Sequence, residues 1–560
     1  MMKPLLSVLL LCLSLPATGS AAETLYNGIA LPDVWPPVDM NPGDPEPMPV
    51  PYLKEPPKVI AIDVGRQLFV DDFLIESSTL KRVYHTAEKY EGNPVFKPET
   101  KRELAVTEGW EGGEAAMIFL GQGGVFYDPA EKHFKMYYTA GWRGPLALAT
   151  SPDMKRWTRP DPRLVEGNVL LPEGSRWTGP KLTSSGADNS VWLDLDAKPA
   201  ERLKYMTCWM QVPKEQRVEG ITHSLHVSDG RTWSDAAVTG LAQDYCSFFY
   251  NPFRQKWCFS IKRGGPRGRS RWYAENSDFM KGADWSKAVH WTHADKLDLP
   301  EPEGAYPGAG EPAQLYALNA VAYESLMIGM HSIHRGPKNE ICEKGKFPKL
   351  IDLEVGFSRD GFHWDRPDRR SFIKGSRTEG AWDRGYLHSA TGVFVVLEDK
   401  LVFPYTGTSG VAPGGTRGMY TGGSVGLAML RRDGFASVEA GAEAGMLTTR
   451  PVTFKGSHVF VNAAVSPQGS LQVVVLDESD KVLAASKGIS GEDMTKWRVE
   501  WQGITDLSAL SGKKVKFRFQ LTNGALYSFW VTPDPGGASH GYVGAGGPGF
   551  AGVRDVPKAK

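Results

Sequence analysis

Five segments of the chain share one pattern of apolar and polar positions: an apolar strand, a polar turn and a second apolar strand. Successive residues of a strand point to opposite faces, so this alternation predicts β-hairpins. The five copies read "GGVFYDPAEKHFKMYYTAG", "NSVWLDLDAKPAERLKYMTCWM", "CSFFYNPFRQKWCFSIKRG", "NAVAYESLMIGMHSIHRG" and "TGVFVVLEDKLVFPYTG". The pattern predicts five hairpins of similar design in an all-β protein.

Each hairpin is followed by a third strand and a second turn. The whole unit recurs roughly every 70 residues, longer than the 40 to 45 typical of a compact four-stranded blade. The excess fits long loops between units. Because a radial array of such units leaves only short, protected edges, we predict a five-bladed β-propeller over residues 59–436.

The second turn of the unit resembles an Asp-box, Ser-x-Asp-Gly-x-x-Trp. In such a turn the aspartate accepts hydrogen bonds from backbone N–H groups and the glycine adopts a positive φ, so the aspartate has a structural role. We therefore exclude these aspartates as catalysts. The best copy has Ser358, Asp360, Gly361 and Trp364, and looser copies have Ser151, Asp153 and Trp157, and Ser228, Asp229, Gly230 and Trp233.

The segments on either side of the repeat have different sequence patterns. Residues 437–535 alternate without the repeat and predict a β-sandwich, and the Gly-rich tail at 536–560 is expected to be mobile. The proline-rich segment 23–58 is expected to be extended, either wrapping the domain or acting as a spacer. The first predicted strand of the propeller domain is "QLFVDDFLI", Gln67 to Ile75.

The first 22 residues have the layout of a signal peptide. Lys3 supplies the positive end, Leu5 to Leu15 form a short apolar run, and small residues end at Ala22. We expect cleavage near Ala22 and a secreted or periplasmic location. No later stretch is apolar enough to predict a membrane span.

Charge and cysteine content restrict the partners. Lys+Arg and Asp+Glu both number 64, a balance that argues against nucleic acid as a partner. We expect a monomer and predict no cofactor; a structural calcium ion on the axis stays open. Cys246 and Cys258 lie on adjacent predicted strands and could pair; alternatively they, Cys208 and Cys342 are all small buried residues.

The chain resembles the five-bladed propeller glycosidases, glycoside hydrolase families 32 and 43. In family 32 a propeller is followed by a β-sandwich, the order predicted here. "LFVDDFLIE", "YESLMIGM" and "FSRDGFHWDRP" are similar to segments of secreted bacterial family 32-like hydrolases. The resemblance implies a glycoside hydrolase, and hence a carbohydrate substrate. The family 32 motifs Trp-Met-Asn-Asp-Pro, Arg-Asp-Pro and Glu-Cys are not intact here, so no catalytic residue is carried over.

Propeller topology selects the candidate site, because the starts of the innermost strands and the loops after the second strands line the axial pocket. Glycosidic cleavage uses two carboxyl groups, one to protonate the leaving oxygen and one to attack or to activate water. The predicted catalytic carboxylates are Asp188, Asp244, Glu114 and Glu111. The predicted substrate-binding residues are Trp142, Arg143, Asn189, Arg263, Asn319, His331, His334, Asp383, Tyr386 and His388.

Two groups of candidates keep alternative interpretations. His331 and His334 are expected to share one face of their strand and to bind an anionic or hydroxyl-rich group or a metal, with a structural role as the default. The basic run is either a solvated loop or a site for the carboxylate or sulfate of an acidic sugar. That run comprises Lys262, Arg263, Arg267, Arg269 and Arg271.

The leading functional hypothesis is an exo-acting glycoside hydrolase for plant or algal polysaccharide fragments. The alternatives are a non-catalytic glycan-binding propeller and a polysaccharide lyase that uses Tyr or His. Two axial carboxylates roughly 5 to 10 Å apart would favour hydrolysis. A cluster of Tyr, His and Arg without paired carboxylates would favour the lyase, and aromatics with amides alone would favour binding.

Overall fold

The computed structural model describes residues 23–104, 115–142, 144, 146–159, 189–208 and 222–557. The predicted signal peptide, residues 1–22, lies outside these ranges. In the described ranges the α-helices are α1 (Pro51–Lys54) and α2 (Asn339–Gly345), with 3-10 turns at Pro199–Glu201, Lys281–Ala283 and Ser508–Leu510. None of these helices is long and apolar enough to cross a membrane.

Five short strands precede the repeat: β1 (Ile60–Ala61), β2 (Gln67–Leu68), β3 (Ile75–Ser78), β4 (Lys81–Tyr84) and β5 (Glu88–Lys89). Blade one then contains β6 (Ile118–Phe119), β7 (Val125–Asp128), β8 (His133–Ala140) and β9 (Leu146–Ser151). Blade two contains β10 (Asn189–Leu193), β11 (Leu203–Cys208), β12 (His223–Ser228) and β13 (Ala237–Val238).

Blade three contains β14 (Ser247–Asn251), β15 (Lys256–Gly265), β16 (Gly268–Asn276) and β17 (Val289–His293). Blade four contains β18 (Gln314–Glu324), β19 (Leu326–His334) and β20 (Ile351–Ser358), and α2 lies in the loop between β19 and β20. Blade five contains β21 (Gly385–Ser389), β22 (Val395–Leu397), β23 (Lys400–Thr408) and β24 (Gly423–Arg431). Neighbouring strands within each blade are antiparallel, which confirms the predicted five-bladed propeller.

The ring is closed by a strand from before the repeat. β5 pairs antiparallel with β24, so that Lys89 lies opposite Ala428 at the outer edge of blade five. A further bridge joins Phe96 to Val425. The last blade thus takes its outer strand from the start of the domain, and this pairing ties the two ends of the ring together.

The Asp-box turns have the predicted structural role. Asp360 Oδ1 accepts the backbone N–H groups of Phe362 and His363, and Gly361 has a φ of 84°. The looser copies use Asp153 and Asp229 in the same way. These carboxylates accept hydrogen bonds within their own turns, as the sequence predicts.

A second β unit follows the propeller. Its strands are β25 (Ala436–Ala440), β26 (Gly445–Thr449), β27 (Val452–Thr453), β28 (His458–Leu476), β29 (Val482–Ala485), β30 (Glu492–Arg498) and β31 (Lys516–Thr532). β28 and β31 pair along most of their length and form the centre of a nine-stranded sheet. The predicted sandwich arrangement of this sheet stays a prediction.

The unit includes strands from the N-terminal side of the propeller. β2 pairs with β31, β3 with β26 and β4 with β25. The predicted strand Gln67 to Ile75 is therefore two short strands separated by a turn, in which Asp71 Oδ1 accepts the N–H of Phe73. Residues 60–84 belong with the second unit in hydrogen bonding, although the sequence assigns them to the propeller.

The Gly-rich tail is ordered against the propeller, so the expectation of a mobile tail is wrong. β32 (Tyr542–Val543) pairs with the end of β18. Three further backbone bonds follow: Gly544 N to Ala322 O, Ala545 N to Phe394 O, and Tyr127 N to Ala545 O. The tail thus contacts the innermost strands of blades one, four and five near their ends. It lies at the opposite end of the axis from the starts of those strands.

The proline-rich segment and the cysteines also take defined places. Trp35 packs edge-on against Phe362 of blade four at 5.5 Å between ring centroids, in keeping with a segment that wraps the domain. Cys246, Cys258 and Cys342 are all fully buried. Cys258 lies opposite Phe249 and not opposite Cys246, so the suggested pairing does not occur.

Candidate axial site

Aromatic side chains from four blades meet at the start of the innermost strands. Phe119 comes from blade one, Tyr245 from blade three, Tyr316 from blade four, and Tyr386 with His388 from blade five. Tyr386 stacks parallel to Phe119 at 6.2 Å and meets His388 edge-on at 4.2 Å. We call these side chains, together with the charged groups around them, the axial cluster.

Irregular backbone directs these side chains inward. Tyr316 falls at a shift in the β18–β19 register, and Tyr386 falls at a shift between β21 and β23. Tyr245 and Tyr386 also have positive φ angles of 62° and 51°. Tyrosine rarely adopts that left-handed region, and bulges and strained residues of this kind gather at functional sites.

Hydroxyl and imidazole groups contact one another inside the cluster. Tyr245 Oη forms a short hydrogen bond with His388 Nδ1, and Tyr316 Oη lies 3.2 Å from Tyr386 Oη. Burial, followed by the charges of Lys349 and Lys262, holds the pKa of His388 well below its ordinary value. The His388 ring is therefore neutral at neutral pH.

Cations surround the ring of Tyr316. Lys262 Nζ and Lys349 Nζ each lie 5.0 Å from its centroid, and Arg269 Cζ lies at 5.6 Å. Arg271 is fully buried, and its Nη1 donates to Tyr245 O at 2.8 Å. Positive charge held over aromatic faces is partly stabilised by the ring quadrupole.

Lys349 is also almost completely buried. Its Nζ lies 4.8 Å from the Tyr386 ring and 5.5 Å from the Tyr420 ring, and it donates to Asn339 Oδ1 at 3.0 Å. Burial, followed by repulsion from the neighbouring cations, lowers the pKa of Lys349 to about 7. This amine can therefore change its charge near neutral pH.

Asp244 is the carboxylate of the cluster in the described residues. It forms a short ion pair with Lys262, and its side chain keeps 49% of its exposure. Burial alone would raise its pKa, but the charges of Lys262, Lys349 and Arg269 outweigh that effect and lower it. Asp244 is thus ionised at neutral pH and reaches solvent.

Trp142 and Tyr420 form an aromatic stack beside this carboxylate-bearing cluster. Their ring centroids are 3.9 Å apart, with 15° between the ring planes. Trp142 also lies 6.0 Å from Phe119. One face of Trp142 is thus covered by Tyr420, and the half-buried indole gives the cluster a flat, rigid wall.

The structure brings together several of the predicted site residues. Asp244, Trp142, Tyr386 and His388 belong to the axial cluster, and His334 lies at its margin, 6.5 Å from Tyr316 between ring centroids. Four other candidates fall outside the described residues: Glu111, Glu114, Arg143 and Asp188.

Three predicted binding residues instead tie blades or strands together. Asn189 donates to Thr139 Oγ1 and accepts from Tyr205 Oη. Asn319 donates to Ser389. Asp383 accepts from Lys89 Nζ of the closing strand at 2.5 Å and from Tyr405 Oη. Polar groups this buried must be hydrogen-bonded, and these three side chains use their inward position to hold neighbouring strands or blades together.

Arg263 and His331 point away from the cluster. Arg263 follows Lys262 in β15, so it faces the opposite side of the sheet, where its guanidinium lies 4.8 Å from the Trp272 ring. His331 is fully buried and meets Trp364 edge-on at 5.7 Å. The expected shared face of His331 and His334 is wrong, because a spacing of three residues places them on opposite faces.

Sequence reasoning missed five members of the cluster: Phe119, Tyr245, Tyr316, Lys349 and Tyr420. Tyr245 could have been found, since it directly follows Asp244. Lys349 and Tyr420 come from loops whose return to the axis leaves no periodic signal. In the described ranges, no group of three or more His, Cys, Asp or Glu side chains could hold a metal ion.

Comparison with known proteins adds likenesses in structure. No protein-family model and no curated protein sequence matches the chain. A thermostable family-43 glycoside hydrolase is 10% identical, has a TM-score of 0.37 and covers 60% of this chain and 96% of its own. An endo-arabinase from Bacteroides thetaiotaomicron is 10% identical, with a TM-score of 0.32 and coverages of 56% and 95%.

An exo-β-1,3-galactanase from Phanerochaete chrysosporium is 9% identical, with a TM-score of 0.32, and covers 75% of this chain and 98% of its own. At identities and TM-scores this low, the five-bladed fold rests on the strand pairing of this chain itself. The specific resemblance to family 32 stays an expectation.

Proposed function

We propose that the axial cluster is the active site of a glycoside hydrolase. The observation that supports this most directly is Asp244, a carboxylate kept ionised by Lys262 and open to solvent at the edge of the aromatic side chains of the axial cluster. An ionised carboxylate is suited to attack the anomeric carbon or to activate water. The flat stack of Trp142 on Tyr420 is suited to packing against a sugar ring.

The second carboxyl group would come from Asp188, Glu111 or Glu114. Asp188 directly precedes β10 in blade two, as Asp244 precedes β14 in blade three. Innermost strands run in one direction along the axis, so β10 and β14 begin at the same end of the propeller. We propose that one of these three carboxyls protonates the leaving oxygen, and that the enzyme is secreted and exo-acting on plant or algal polysaccharide fragments.

A polysaccharide lyase is a second candidate, favoured by the contact of Tyr245 with neutral His388 beside Lys349. In that reaction a base removes the proton next to the uronate carboxylate. The bond from the neighbouring carbon to the glycosidic oxygen then breaks, a carbon–carbon double bond forms, and the oxygen takes a proton from the tyrosine. Cations around Tyr316 would neutralise the charge that develops on the carboxylate.

A screen of aryl glycosides and polysaccharides with wild type and Asp244→Asn tests the proposal. We expect the substitution to lower kcat/KM by about 10²–10⁴-fold. The matched control is Asp229→Asn, because Asp229 serves only its own turn and asparagine can still accept the N–H groups. Undiminished turnover by Asp244→Asn would rule out its catalytic role. Products with the ultraviolet absorbance of an unsaturated uronate, lost in Tyr245→Phe, would identify a lyase.

A further inference from the structure

Among the described residues, the axial cluster combines four cations with one carboxylate. Lys262, Arg269, Arg271 and Lys349 lie within it, and Asp244 is the carboxylate that faces them in the described residues. Asp244 is already paired with Lys262. A buried cation without a counter-charge is costly, so the cluster favours an incoming anion.

The hydrogen-bond partners of the other three cations within the described residues are all neutral. Arg269 Nη1 donates to Gln314 Oε1 at 2.8 Å, and Lys349 donates to an amide oxygen. Arg271 donates to one backbone carbonyl, while its Nε and Nη2 have no partner in the described part of the chain. Such donors can form charge-assisted hydrogen bonds with an anion.

The cations also converge. Lys262 lies directly opposite Arg271 in the β15–β16 ladder, so both side chains leave the same face of blade three. Lys349 approaches the same Tyr316 ring from the loop of blade four. Positive charge from two blades thus meets at one place, beside the exposed edge of Asp244.

We propose that this convergence recognises an anionic substituent of the glycan, a uronate carboxylate or a sulfate ester. Arg269 and Lys262 bind it at the open side, Lys349 binds it from within, and Arg271 adds positive charge behind them. The proposal rests on the proposed function in one respect, since it takes the axial cluster as the glycan site. A neutral sugar would leave these donors without their charged partner and would bind more weakly.

Binding is measured by calorimetry, which needs no turnover. Three probes are compared: an oligogalacturonide, the same oligosaccharide with its carboxyl groups reduced to alcohols, and a sulfated galactan oligosaccharide. We expect wild type to bind at least one charged probe about 10- to 100-fold more tightly than the reduced one, as charged hydrogen bonds of this kind predict. The two charged probes distinguish a uronate from a sulfate.

The variant is Arg269→Gln and its matched control is Arg263→Gln, which removes a neighbouring guanidinium from the opposite face of the sheet. Arg269→Gln should lower affinity for the charged probe about 10- to 100-fold and leave the reduced probe unchanged. Arg263→Gln should change neither. If Arg269→Gln does not fold, Lys349→Gln and the wild-type comparison of charged and reduced probes decide the question.

Three results would overturn the proposal: equal affinity for charged and reduced probes, equal behaviour of the two arginine variants, or no binding of either charged probe. The proposed function fails separately. Tight, Arg269-dependent binding without cleavage would contradict the hydrolase and keep the anion site. Cleavage of neutral glycans with no preference for charge would support the hydrolase and contradict the anion site.

Discussion

Gly547→Ala should detach the tail from the end of the propeller axis. A Cβ placed on Gly547 would lie 1.8 Å from Val396 O, a backbone atom of blade five that cannot rotate away. Real Cβ contacts essentially never fall under 3.0 Å, so the tail and the strand must separate by at least 3.0 − 1.8 = 1.2 Å.

The expected cost follows from the hydrogen bonds that such a shift breaks. Val396 N donates to Gly546 O at 2.9 Å, and Ala545 bonds with Phe394 O at 3.0 Å and Tyr127 N at 2.9 Å. Bonds stretched by more than 1 Å are lost, and each contributes about 1 kcal/mol net. We expect the free energy of unfolding to fall by about 3 kcal/mol.

Denaturant unfolding of wild type, Gly547→Ala and Gly552→Ala measures this difference. Gly552 is the matched control, because nothing lies within 4 Å of its added Cβ and both changes restrict the unfolded chain equally. Hydrogen exchange should show faster exchange at the Val396 and Tyr127 amides in Gly547→Ala alone. Identical unfolding of the two variants, with unchanged exchange at these amides, would refute the docking of the tail described above.

Two other predictions concern the axial cluster. Between its lowered pKa of about 7 and its ordinary value of 10.5, Lys349 is protonated in the unfolded chain but not in the native one, so this residue makes stability rise with pH in that window, by at most about 1.4 kcal/mol per pH unit. Lys349→Met should remove that contribution. Urea unfolding at several pH values above 7 measures it, and a variant whose free energy of unfolding rises with pH as steeply as that of wild type would contradict the prediction. Trp142→Ala should raise KM about tenfold with little change in kcat, because it removes the flat wall stacked on Tyr420; Trp142→Phe should keep most of the affinity, and steady-state kinetics that rank the two variants equally would contradict this.

The five blades could be predicted because each one repeats the same alternation, and alternation is what a half-buried strand requires. The strand that closes the ring could not. β5 is only two residues long, Glu88 and Lys89, and it is defined by partner residues 341 and 339 positions later in the chain and not by its own pattern. The tail was misjudged for a similar reason, since glycine looks flexible in sequence but here permits close approach to a strand.

The candidate site was predictable in part. Topology alone located Asp244, Tyr386 and His388, because the starts of innermost strands must face the axis. The same rule also selected Asn189 and Asp383, whose side chains hold the scaffold together. Position along a strand does not reveal which inward side chain already has a partner, and the loops that supply cations and stacked rings follow no period.

The interlocked termini have a consequence for how the protein folds. Arg66 donates to the backbone oxygen of Thr495, 429 positions later in the chain, and its guanidinium also pairs with Asp433 beside blade five. Contacts this distant in sequence form only after a large loss of chain entropy, so they slow folding. The second unit can therefore form only after strands from both ends of the chain have paired. A nascent chain can fold its blades long before it can complete that unit.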